Sequence, residues 1–248
     1  MDILVAVSRV PDTTTKILVG SDGKFIDTNN VKFILNPYDE YALEEAIRLK
    51  EKNGGKVIAI TVGPATAQDI LRNALAVGAD EAVHIKSGQN FDSFFVASQI
   101  AEYASKMKPD IIFMGKQSID FDSLQVPSIL SDILDLPLAT IVTKLDYEGN
   151  MVKAEREIEG GKEVVSLQLP CIISAQKGLN EPRYPKLPDI MKAKKKPIEE
   201  IDAPNAENNI EIIGMELPSR SRLNKIVGDT DEDIKEIVRM LHEDAKIF

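Results

Sequence analysis

The chain has 248 residues, 43% of them hydrophobic and 28% charged, a composition that suits one large globular α/β domain with or without a smaller appendage. A formal charge of −10 excludes nucleic acid as the partner of the surface as a whole and leaves room for one local basic patch. No apolar run approaches the roughly 20 residues of a membrane span, so direct membrane insertion is not expected. Cys171 is the single cysteine; an internal disulfide is impossible, which fits a reducing, cytoplasmic setting.

Residues 2–7 are apolar almost throughout and read as a central parallel strand. The chain starts directly in that strand, so no signal or transit peptide is expected. Residues 8–15 form a polar loop at its carboxyl end, where open α/β sheets place ligands. A hairpin is predicted next, with arms at 16–19 and 24–26 around Gly20 and Gly23. Asn36, Pro37, Tyr38, Asp39 and Glu40 then form a helix start: Asn36 the cap, Pro37 the first helical residue, Asp39 and Glu40 complements to the dipole. Ala42, Leu43, Ala46, Ile47 and Leu49 make the apolar stripe of that helix, which ends at Gly54 and Gly55.

Strands at 56–61, 81–86 and 110–114 alternate with helices at 65–77 and 92–107, the spacing of right-handed parallel crossovers. His84 reads as a packed strand residue rather than a ligand. Three strand ends thereby deliver loops 8–15, 62–64 and 115–125 to one edge, the default nucleotide site of this architecture. Neither GxGxxG after the first strand nor GxxxxGK[ST] anywhere is present, so a phosphate falls to the third of these loops.

That loop runs Gly115, Lys116, Gln117, Ser118, Ile119, Asp120, Phe121, Asp122, Ser123, Leu124, Gln125 and Val126, and a helix over 126–134 follows. A glycine at a strand's carboxyl end admits a ligand close to the backbone, and a helix opening next aims its free N–H groups at the same place. Asp122 or Ser123 can cap that helix, with Ser123 and Gln125 as donors to phosphate. The competing reading is a strand-to-helix loop whose polar residues satisfy only their own backbone. Asp120 and Asp122 suit capping and ribose hydrogen bonding better than catalysis. His84 and His242 lie far apart and only one cysteine is present, so no zinc pattern appears and no catalytic set stands out.

Beyond Pro137 the period changes to two. Residues 139–145, 151–158 and 162–169 read as an antiparallel extension with one solvent-facing side, and 171–175 as one more buried strand. A short helical piece at 189–196 precedes a polar, acidic connector at 197–209. The segment 229–248 is an acidic helix with Ile234, Ile237, Val238 and Leu241 on one face, an arm suited to docking on another subunit. Lys192, Lys194, Lys195 and Lys196 stand beside Leu187, Ile190 and Met191, an apolar anchor with a charged rim of the kind a transient docking site needs.

From the first strand to about Glu200 the chain resembles the beta subunit of electron-transferring flavoprotein (ETF). The carrying motifs are Val5-Ala-Val7 with Arg9-Val10, Asn36-Pro-Tyr-Asp-Glu40 with Glu44 to Glu51, Gly63-Pro64, Ala76-Val-Gly-Ala-Asp80 and Gly115-Lys-Gln-Ser-Ile-Asp120. Glu155-Arg-Glu157, Leu179-Asn-Glu-Pro-Arg-Tyr184 and Leu187-Pro-Asp-Ile-Met-Lys-Ala-Lys-Lys-Lys196 complete them. The resemblance implies an open, mainly parallel Rossmann-like sheet of the adenine-nucleotide hydrolase type, with the antiparallel extension and a C-terminal arm. It divides the chain into a nucleotide-binding domain over 1–200, recognition loop 183–192 included, and a connector and arm over 201–248.

It further implies a heterodimer with an alpha subunit that holds most of one FAD, an electron carrier without catalytic residues of its own. Electrons come from an acyl-CoA dehydrogenase or related flavoenzyme and pass onward, for example to ETF:quinone oxidoreductase. AMP is a structural ligand, with its site carried over to Ala6, residues 36–39, Val62 and residues 115–126. Thr13 and Tyr38 fall at flavin-facing positions, Leu187 at the partner-anchoring leucine, and Glu157 at a carboxylate that contacts the mobile flavin domain. Electron-bifurcating members, which oxidise NADH, bind a second FAD in place of AMP, and Val10-Pro-Asp-Thr13 and Asn36-Pro-Tyr-Asp39 look like theirs. Phe121 stands where those members usually have glycine, and the recognition loop looks like the simple carrier type. Leu124, Val126 and Pro127 depart from the more polar stretch usual in AMP-type members. AMP is therefore expected, with a second FAD as the alternative and a universal-stress-like homodimer or a free-standing nucleotide hydrolase as the readings outside the family.

Overall fold

The computed structural model of the chain describes residues 1–88, 91–203, 208–218 and 225–247. Residues 204–207 of the expected connector, and residue 248 of the expected last helix, lie outside that set. The elements run β1 (Asp2–Ala6), β2 (Arg9–Pro11), β3 (Phe33–Leu35), α1 (Pro37–Asn53), β4 (Lys56–Gly63), α2 (Gln68–Val77), β5 (Glu81–Lys86), α3 (Ser93–Met107) and β6 (Ile111–Gly115). There follow α4 (Val126–Leu134), β7 (Leu138–Glu148), β8 (Met151–Ile158), β9 (Gly161–Gln168), β10 (Cys171–Ala175), α5 (Leu187–Ala193), β11 (Glu199–Asp202) and α6 (Asp231–Arg239).

Among the described residues nine strands form one sheet in the order β11-β5-β4-β1-β6-β10-β7-β8-β9, and β2 with β3 forms a separate antiparallel ribbon. Pairing is parallel from β11 to β7 and antiparallel across β7-β8-β9. β1 is apolar on both sides because both sides are covered. Ile3 and Val5 pack in the layer with Leu43 and Ile47 of α1 and Leu71 of α2. Leu4 and Ala6 pack in the opposite layer with Ile100 of α3 and Leu130 of α4. The wing alternates instead: Val152 and Ala154 of β8 are buried, and the alternate residues Met151 and Lys153 face solvent, as its period of two predicts. The chain steps outward from β1 to β4 and β5, then returns through α3 to β6 on the other side of β1. The carboxyl ends of β1 and β6 are thus the topological switch point, where neighbouring loops diverge and leave a crevice.

Several local expectations change. Residues 9–11 are not wholly loop, since Arg9 to Pro11 pair with Leu35 to Phe33. The expected hairpin at 16–26 reduces to a single bridge, Val19 to Ile26, because its short arms have little apolar surface to bury. Residues 65–67 are a 3₁₀ turn ahead of α2. The expected connector contributes β11, which pairs along the open edge of β5, so backbone demand overrides its acidic composition. α5 begins at Leu187 rather than Asp189. The last helix ends at Arg239 and passes into a π turn over Met240–Asp244. His84 is buried in β5 with Nε2 2.9 Å from the Gly63 carbonyl, a packed strand residue.

Candidate functional site

The crevice is built on the first turn of α1. The sequence assigns Asp39 to the helix dipole, but its carboxylate points into the protein, where it accepts the Ser8 N–H at 2.7 Å and the Gly115 N–H at 2.8 Å. One side chain therefore ties the ends of the two strands that diverge at the switch point. Asp39 is 3% exposed, and burial pushes its carboxyl up to about 7 against the hydrogen bonds from Asn36, Ser8 and Gly115 that favour the ionised form. Its position was readable in one respect: Asp39 stands three, four and seven residues before Ala42, Leu43 and Ala46, on the apolar face of the helix.

Asn36 is fully buried and does not cap α1 with its side chain. Its Nδ2 donates to the Gln117 carbonyl at 2.9 Å, and its Oδ1 accepts the Ile119 N–H at 3.3 Å. It is a tie between α1 and the following loop. Gly115 is required by the same packing, for a Cβ there would lie 2.5 Å from Asp39 Oδ1 and 2.6 Å from Tyr38 Cβ. The close approach that the glycine permits is that of α1 itself.

Beyond these ties the loop turns outward. Lys116 N–H donates to the Ala175 carbonyl at 3.0 Å, and its ammonium sits 4.8 Å from the centroid of the Tyr38 ring, with no acidic partner among the described residues. Asp122 and Leu124 both occupy the left-handed region, at φ 50° and 54°. Asp122 receives a hydrogen bond from the Gln117 amide, and the Ser123 hydroxyl lies 3.2 Å from that of Ser93 at the start of α3. Neither caps α4. Its cap position is Gln125, and among the described residues no side chain caps it. Asp120, Phe121, Asp122, Leu124 and Gln125 are exposed, Phe121 by two-thirds.

The structure gathers Ala6, residues 36–39, Val62 and residues 115–126 at the strand-end edge. Thr13 is exposed in the turn after β2, and Tyr38 is half-buried at the crevice. The remaining candidates lie elsewhere. Glu157 is exposed on β8, Leu187 and Met191 are exposed on α5, and Ile190 is half-buried against the core. Among the described residues no cluster of three or more His, Cys, Asp or Glu side chains can hold a metal, and no helix is long and apolar enough to cross a membrane.

Fold and crevice define a doubly wound α/β protein with an antiparallel wing and a switch point at the ends of β1 and β6. The family model for the electron transfer flavoprotein domain matches residues 24–206. Similar proteins include electron transfer flavoprotein subunit beta of Bacillus subtilis (strain 168), 42% identical over 259 residues and covering all of both chains. The subunit beta of Dictyostelium discoideum is 40% identical across all of this chain and 99% of its own. That of Homo sapiens is 41% identical across 96% and 98%. The chain belongs to the electron transfer flavoprotein family, among its beta subunits.

Proposed function

We propose that this chain pairs with an alpha subunit to form a heterodimeric electron transfer flavoprotein, binds AMP as a structural ligand at the strand-end edge, and helps enclose an FAD held mainly by the alpha subunit. It presents residues 183–192 to an acyl-CoA dehydrogenase or related flavoenzyme, delivers electrons onward to an acceptor such as ETF:quinone oxidoreductase, and works in the cytoplasm. Residues 1–200 are the nucleotide-binding part and 201–248 the arm that docks on the alpha subunit.

The observation that carries the nucleotide reading is the uncapped N-terminus of α4 standing at the end of a loop that Asn36 and Asp39 hold to α1. Uncapped N–H groups and the positive helix end suit a phosphate, and the Lys116 ammonium, which has no acidic partner among the described residues, adds a cation. The exposed carboxylates of Asp120 and Asp122 are acceptors of the kind ribose hydroxyls need. Thr13 and Tyr38 supply the wall toward the flavin, and Glu157 a contact for the domain that carries it. When bound, the flavin supplies the redox chemistry; this chain's residues bind, orient and exclude water.

Co-expression with the companion chain followed by heat extraction tests the reading. One FAD and one AMP per heterodimer is the expected count. Two FAD and no AMP overturns the AMP assignment in favour of the bifurcating alternative. The sequence argument against that alternative rests on the bulk of Phe121, which here faces solvent, and on the carrier-type recognition loop, and ligand stoichiometry decides between them.

A further inference from the structure

The docking reading leaves open what holds residues 183–196 in place. Their own packing is thin. Of α5 only Ala193 is buried, with Ile190 half-buried, whereas Tyr184, Leu187 and Met191 are 92%, 74% and 54% exposed. A cleft of about 280 Å³ lies under the ledge, lined by Ile47, Leu75, Arg183, Asp189, Lys192 and Lys196 among others. Apolar burial holds α5 only through Ala193 and Ile190.

Two arginines add to that hold. At the incoming end Arg183 Nε donates to Glu44 Oε2 at 2.8 Å and Nη2 to Glu44 Oε1 at 3.1 Å. The same guanidinium reaches Glu51 through Nη1 at 2.6 Å and Nη2 at 3.0 Å. Its backbone N–H also donates to Glu44 at 3.2 Å. Glu44 is a buried acid on α1, its side chain 3% exposed, and Arg48 donates to it at 2.6 Å while donating to the Glu181 carbonyl at 3.2 Å. At the outgoing end Arg72 of α2 donates to the Ala193 carbonyl at 2.8 Å and to that of Lys196. The Lys196 ammonium returns to the Ala79 carbonyl at 2.9 Å. A planar guanidinium can engage two carboxylates or two carbonyls at once with fixed direction, which an ammonium cannot.

We propose that Arg183 and Arg72 are positioning residues that bracket residues 183–196, Arg183 by gripping α1 and Arg72 by reaching from α2, presenting Leu187 to the partner flavoenzyme already ordered. This inference rests on the docking reading of the proposed function. Preorganisation lowers the ordering cost of association, so its loss falls on partner affinity and not on electron transfer within the docked complex.

The test uses the reconstituted heterodimer as electron acceptor for an acyl-CoA dehydrogenase. In Arg183→Ala and Arg72→Ala, KM for the flavoprotein rises about tenfold with kcat within twofold and flavin content unchanged. Arg183→Lys recovers only part of the loss. Glu51→Gln, which removes one arm of the fork without uncovering Glu44, gives a rise of about threefold and serves if Arg183→Ala does not fold. Leu187→Ala raises KM alone but adds little to Arg183→Ala, a non-additivity that general destabilisation does not produce. Unchanged KM in both arginine variants and Glu51→Gln, beside a raised KM in Leu187→Ala, overturns the bracket alone. Unchanged KM in Leu187→Ala overturns the docking reading and the bracket with it.

Discussion

The first turn of α1 and the C-terminal helix α6 both begin at polar residues, Asn36 and Thr230, and they differ in where their contacts go. Around α1, Asn36 and Asp39 turn buried polar atoms onto backbone groups of the same chain, and α1 buries a full apolar face. α6 is self-sufficient along its backbone: Thr230 and Asp233 form a capping box, and Arg239 pairs with Glu236 and Glu243. Yet none of its residues is buried, and Ile234 and Val238 are each about half exposed. Ile210, Ile213 and Leu217 upstream are exposed as well. One region closes its contacts internally. The other has local order while its apolar side chains stay uncovered among the described residues, which suits the proposed docking on another chain.

The strongest way to break this contrast is Ile234→Lys with Val238→Lys. Two apolar side chains at ~1.5–3 kcal/mol each put the expected loss of alpha-subunit affinity at about 4 kcal/mol, or near a thousandfold. Size-exclusion of the co-expressed pair checks it, and intact co-elution ends the assignment of the arm. Gly115→Ala attacks the other region. The methyl group enters the space of Asp39 and Tyr38, so overpacking of about 3 kcal/mol is expected in urea unfolding, with loss of bound adenylate. A neutral Gly115→Ala contradicts the tight seat of α1.

Asp39→Asn comes next at about 2 kcal/mol, because an amide cannot accept from both the Ser8 and Gly115 N–H groups. It also carries a pH signature. The folded carboxyl stands at about 7 against 3.8 for the ordinary group, so the folded state holds the proton more tightly. That contribution is complete below about pH 4 and fades as pH rises through 7. Glu44 on the same helix has the opposite sign. Burial raises its carboxyl, but the bonds from Arg183 and Arg48 outweigh that and leave it lowered, so its contribution is present above about 4.5 and is lost in acid. Urea midpoints from pH 2 to 8 separate the two, and Asp39→Asn flattens the neutral-side slope. The smallest effect belongs to Asp69→Ala. Its ion pair with Arg9 at 3.0 Å is half exposed, and a change of about 0.5 kcal/mol is expected.

The sequence announced the parallel core because β1, β4 and β6 carry apolar runs that only a doubly covered sheet can use, and the wing because β8 alternates. It did not announce the clamp. An acid in the first turn reads as a dipole partner, and only the meeting of Ser8, Asp39 and Gly115 from distant parts of the chain reveals its task. Asp122 and Ser123 failed as caps because the loop passes through left-handed positions at 122 and 124 and starts its helix two residues beyond Leu124. β11 was hidden for a similar reason, since Glu-Glu-Ile-Asp has a poor strand composition and becomes one only beside the unfilled edge of β5.

That edge strand has a consequence of its own. Three of its four side chains, Glu199, Glu200 and Asp202, are carboxylates, and Lys86 answers two of them. A second copy of the protein seeking to extend the β-ladder there would bring like charge to like charge along an entire row. The fringe disfavours growth of the sheet by self-templating at this edge, the one that faces away from β9.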